Sequence, residues 1–169
     1  MTERTLAVCL AVAACSLGTA SCNSLDHPSG ASGASGANGA VVAARAEVTI
    51  RQQLIEVELA RSREEQARGL SERDSLAWGR GMLFPYEQPA FVSFWMKGMR
   101  FDIDIVWIRE NRIVGIAEWV PHPPSSEGTP VSVPSPELID TVLEVPAGYA
   151  QAHGWSRGDR VRVSSLEAL

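Results

Sequence analysis

Trp95, Lys97, Asp102 and Asp104 lie close together in the chain, and their types in this order suit ligand binding. An indole face receives the C–H side of a sugar ring, carboxylates accept its hydroxyls, and an ammonium answers an anion. Trp119 joins this group if strand pairing carries it beside Asp102. Arg73 follows a short helix and has the fork that clamps a carboxylate or phosphate. Asp104 and Glu144 are the two carboxylates a hydrolase would use, provided they converge. Each residue also has a purely structural role open to it. Lys97 can pair with Asp102 or Asp104, both Trp rings can be covered as a second core layer, and Glu144 can face solvent.

Lys97 is the single lysine among 15 basic residues; the other cations are arginine. That bias fits a GC-rich genome, where a retained ammonium is not replaceable by a guanidinium fork. Beyond ion pairing, Lys97 suits an anion-binding role, or a nucleophile or base if burial lowers its pKa. Several classes are excluded. All three cysteines, Cys9, Cys15 and Cys22, lie in the N-terminal segment, so the domain has no thiolate metal site, disulfide framework or cysteine nucleophile. His27, His122 and His153 have no ligand spacing, and no metal or other cofactor is expected. No nucleophile elbow, phosphate loop or dinucleotide fingerprint occurs, and no residue stands out as catalytic. A net charge of −5 disfavours nucleic acid as a partner.

The elements that must position these residues read as strands. Val48–Leu59 alternates as a strand or hairpin. Ser62 and Glu65 form a capping box for a short helix that breaks near Gly69. Residues 90–97 and 101–108 read as a hairpin about a type II′ turn at Gly98-Met99, setting Trp95 opposite Asp102 and Ser93 opposite Asp104. One face then carries Val92, Phe94, Met96, Phe101, Ile103 and Ile105 as core. Glu110-Asn111 turns into a third strand, Arg112–Val120, completing a meander. Residues 121–136 hold six prolines and read as a loop without strand period. Leu138–Val145 is a strand, Pro146 opens a short helix closed by Gly154, and Val161–Val163 is the last strand. The expected fold is mostly β (α+β): a small antiparallel meander closing into a barrel-like sheet with two short helices.

The N-terminal segment reads as a lipoprotein-type signal over residues 1–22. Leu6–Ala14 is apolar but too short to span a membrane, and small residues lead to Cys22. Cys22 is the expected lipidation site and Cys15 the alternative; an ordinary signal cut near Ala20 also fits. Residues 23–46 form a Gly/Ser/Ala tether to a single β-rich domain over 47–165. The expected location is a bacterial membrane facing the periplasm, held by the lipid, or the soluble periplasm without it. The oligomeric state is open.

A resemblance adds to this reading. Leu70 with Arg73, Gly81-Met82-Leu83-Phe84, Phe94-Trp95-Met96-Lys97, Ile103-Asp104-Ile105, Val142-Leu143-Glu144 and Gly158-Asp159 occur in the order seen in the domain-of-unknown-function-192 (DUF192) family. The likeness spans about residues 54–163 and implies a small, barrel-like β domain of a kind often exported. It brings no established activity. Gly98-Met99 stands where the family usually has Asn-Thr, and Asp102 where it usually has Pro. Three readings follow: an envelope module binding a small or glycan-like ligand through Trp95, Lys97, Asp102 and Asp104; a module docking another envelope protein through the Pro-rich loop; and a hydrolase using Asp104 and Glu144.

Overall fold

The computed structural model describes residues 44–124 and 131–165. The lipidation candidates Cys22 and Cys15 lie outside them, as do most of the tether and residues 125–130 of the Pro-rich segment. In chain order the elements are β1 (Arg45–Ile50), β2 (Gln53–Leu59), α1 (Arg63–Arg68), β3 (Arg80–Ala90), β4 (Ser93–Trp95), β5 (Ile103–Arg109), β6 (Arg112–Val120), β7 (Ser132–Pro134), β8 (Ile139–Pro146), α2 (Tyr149–Ala152) and β9 (Val161–Ser165). Seven strands form one sheet in the order β6-β5-β8-β3-β2-β1-β9, while β4 pairs only with β7. All pairs are antiparallel except β2 with β3, whose connection carries α1.

The sheet curls until its edges meet at one end. Arg112 bridges Arg160, Gly158 N donates to Ile113 O at 2.7 Å, and Val161 N donates to Asn111 O at 2.8 Å. The mostly β, barrel-like architecture expected from sequence is therefore present. Its enclosed side holds a core drawn from every strand of the large sheet, including Val48, Val57, Leu83, Val106, Ile113, Leu143 and Val161, with Tyr149 and Ala150 of α2. A second core on the outer side packs Phe84, Met96, Ile105, Trp107, Ile139 and Val142 beneath β4 and β7. Phe94 plugs this layer edge-on between Phe84 at 5.0 Å and Trp107 at 5.6 Å.

Local readings of the sequence recur in the structure. The capping box at Ser62 and Glu65 forms, and Gly69 ends α1 with φ +52°. Glu110 and Asn111 both take positive φ in a two-residue turn, the primed geometry whose twist matches a hairpin. The hairpin about Gly98-Met99 does not form. Pairing of β4 with β7 joins Trp95 to Ser132 and Ser93 to Pro134, whereas β5 lies between β6 and β8. Met96–Phe101 is instead a loop that buries Met96 and Met99. The Pro-rich segment thus contains a strand that its composition conceals. Pro146 ends β8 rather than opening α2, whose N-cap is Gly148. β1 also takes in Arg45 and Ala46, which composition assigns to the tether.

Candidate functional site

Asp104 is fully buried at the mouth of the enclosed core. Its Oδ1 accepts from Trp119 N at 2.9 Å and Gly148 N at 3.0 Å, and its Oδ2 from Ala150 N at 2.9 Å. Three backbone donors compensate the buried charge and tie β5 to β6 and to the start of α2. Trp119 consequently sits at φ +52°, a costly conformation for a bulky residue. The twist throws its ring out of the sheet onto Gly148, where an added Cβ would stand 2.5 Å from Trp119 Cζ2. Asp104 and Trp119 therefore belong together, but as a strand–helix clasp. They do not share a ligand face with Trp95.

Trp95 and Lys97 do come together. Lys97 Nζ lies 5.3 Å from the Trp95 ring centroid, a cation–π distance. Among the described residues Lys97 has no ion pair, so the expected pairing with Asp102 or Asp104 is absent. Asp102 pairs instead with His122: its Oδ1 accepts from His122 N at 2.9 Å and lies 2.6 Å from Nδ1. The backbone donor, then the ring, holds the Asp102 carboxyl below the usual range.

Two depressions adjoin here. One, of about 320 Å³, is lined by Trp95, Lys97, Gly98, Ser71, Glu72 and Arg68. The other, of about 450 Å³, is lined by Gly98, Glu72, Met99, Arg100, His122 and Pro123. They share Glu72 and Gly98, both at positive φ and joined by Glu72 N donating to Gly98 O at 2.8 Å. Ser71 Oγ donates to Lys97 O at 2.8 Å. The result is a groove with a half-exposed indole at one end and an imidazole–carboxylate pair at the other. A further depression, of about 590 Å³, lies beside the Arg112–Arg160 bridge between β6 and β9, and none of these groups lines it.

Arg73 lies elsewhere. Its two terminal nitrogens donate to both oxygens of Glu58, at 2.6 and 2.8 Å, which lowers the Glu58 carboxyl below its ordinary value. Glu144 faces the same outer side of the sheet. It is 6% exposed, and burial pushes its pKa up to about 8, with Arg73 opposing. Asp104 pairs in register with Val145, and Ile105 with Glu144. Successive residues point to opposite faces, so Asp104 and Glu144 are separated by the sheet. A hydrolytic pair of these two carboxylates is excluded.

His122, Glu72 and Glu58 were missed by the sequence reading. Glu58 carried a weak signal, as an acid in an alternating strand. His122 and Glu72 carried none, since loops on opposite sides of the strand sequence bring them together.

The comparisons with known proteins fit this picture. The profile described as DUF192, Uncharacterized ACR, matches residues 46–163. A crystal structure of a protein from Sinorhizobium meliloti 1021, provisionally described as a transcription regulator, is 31% identical with a TM-score of 0.66, over 74% of this chain and 98% of that one. A protein of unknown function from Novosphingobium aromaticivorans DSM 12444 is 32% identical with a TM-score of 0.60, over 70% of this chain and 83% of that one. No curated protein matches. These matches show that the chain belongs to the uncharacterised DUF192 family.

Proposed function

We propose that this chain is an exported, lipid-anchored envelope module that binds a glycan-like ligand in the groove running from Trp95 to His122. The observation that carries this reading is the half-exposed Trp95 indole beside Lys97, opening into a depression continuous with that of His122. A sugar ring stacks on an indole through its C–H face, and the rim supplies donors and acceptors for hydroxyls on either side. Glu72, Arg100 and His122 fill those polar positions; Asp102 orients His122. Export and anchoring are supported by the apolar N-terminal run leading through small residues to Cys22.

A thermal-shift screen of the full-length protein against envelope glycans and their fragments tests the binding. A ligand of this groove raises the Tm of the wild type, and Trp95→Ala and Lys97→Ala each reduce that rise. A ligand that stabilises all three proteins equally overturns the groove. Anchoring is tested apart from it: Cys22→Ala should release the protein into the soluble periplasm. Release by Cys15→Ala alone would move the lipid to that residue.

A further inference from the structure

Glu58, Met82, Glu144 and Ile105 form one row across β2, β3, β8 and β5, each the register partner of the next. Met82 and Ile105 are what a covered face requires, but Glu144 is not. Its Oε2 is buried without a hydrogen-bond partner among the described residues. A buried polar atom left unpaired destabilises the fold, and such an atom asks for an explanation. The cation whose charge acts on it, Arg73, is already engaged by Glu58. That ion pair is about one-third exposed on both sides. It is also the wall shared by two depressions, of about 160 and 270 Å³.

We propose that Arg73 and Glu144 form a binding site for a small carboxylate, occupied by Glu58 when no ligand is present. The guanidinium fork accepts one carboxylate edge-on, and the Glu58 carboxylate displays the geometry that fits. An incoming carboxylate takes over the fork, while the displaced Glu58 turns to solvent. The protonated Glu144 carboxyl then donates a hydrogen bond to a ligand oxygen, which supplies the partner that Oε2 lacks. Burial favours that protonated form at neutral pH. The charged and titratable groups that act on Glu144 are Arg73 from the segment after α1 and Tyr86 from β3; Glu58 of β2 reaches it only through Arg73, and β5 contributes Ile105. This site lies apart from the Trp95 groove and does not depend on glycan binding.

Sodium acetate is the probe, with sodium chloride at matched ionic strength as control. The readout is the carboxyl carbon resonance of Glu144 in the full-length protein, assigned by its loss in Glu144→Gln. Acetate is expected to shift it saturably where chloride does not. Glu58→Gln removes the internal competitor and should tighten acetate binding, since a tethered carboxylate occupies the fork without having to be recruited from solution. Arg73→Lys keeps the charge but loses the fork, and should weaken binding. In the wild type, affinity should fall as pH rises past the Glu144 titration, because the ionised form repels a carboxylate. Glu144→Gln cannot ionise and should keep its affinity over that range, followed by the effect of acetate on Tm. Two results overturn the proposal: Glu58→Gln binding acetate no tighter than wild type, or wild-type affinity unchanged across the Glu144 titration.

Discussion

Replacing Glu144 by Gln should stabilise this protein, and increasingly so as pH rises. In the unfolded chain the carboxyl ionises near its ordinary value of 4.5, whereas burial keeps it protonated in the fold to about 8. Between those values the folded state holds one proton more than the unfolded state. Stability therefore falls with rising pH, by about 1.4 kcal/mol per unit. The wild type loses about 3 kcal/mol from this group by neutral pH, and about 5 kcal/mol once the folded carboxyl has ionised. Gln has the same shape and cannot ionise. Its amide finds no more partners than the acid does, but that cost does not vary with pH. The difference in unfolding free energy between variant and wild type should thus widen from acid to neutral pH and level off above about 8. The lowered carboxyls of Glu58, Asp102 and Asp159 contribute stability that is lost only as pH falls through their folded values. Both proteins share that term, so it cancels. Urea unfolding of the two proteins across this range gives the difference directly. Two parallel curves would refute the assignment of a protonated, buried Glu144.

Two further outcomes test the clasp. Asp104→Asn replaces an acceptor of three backbone N–H groups with a side chain that must turn an amide donor toward at least one of them. A loss of about 2–4 kcal/mol in unfolding free energy is expected, and a change within error would show that the clasp contributes nothing. Gly148→Ala sets a Cβ at φ +80° and 2.5 Å from the Trp119 ring. It should cost about 1–3 kcal/mol and shift the Trp119 fluorescence; in a Trp119→Ala background the steric part of that cost should disappear and the backbone part persist.

Trp95 and Trp119 show how an exposed aromatic can mislead. Both are 56% exposed, and both stood in the sequence as sugar platforms. Trp95 is exposed because β4 carries it to the rim of a depression. Trp119 is exposed because Asp104 holds its backbone in a left-handed turn, and its ring serves as a cover for Gly148. Two acids in one short segment likewise divided. Asp104 went inside to cap α2, and Asp102 went to the surface to hold His122.

The sequence by itself determined whatever depends on near neighbours. The capping box at Ser62, the Glu110-Asn111 turn, the apolar faces of β1, β2 and β5, and the motif order of the family were all legible, because each is settled within a few residues. Tertiary structure alone decided which strands pair. Gly98-Met99 permits a hairpin, but β4 pairs instead with a strand of the Pro-rich segment, and Phe94 packs between Phe84 and Trp107. That choice fixes the register, and a register fixes the face on which every side chain lies. It placed Asp104 and Glu144 on opposite sides of one sheet, turned Arg73 toward Glu58, and left Lys97 with Trp95 rather than an acid.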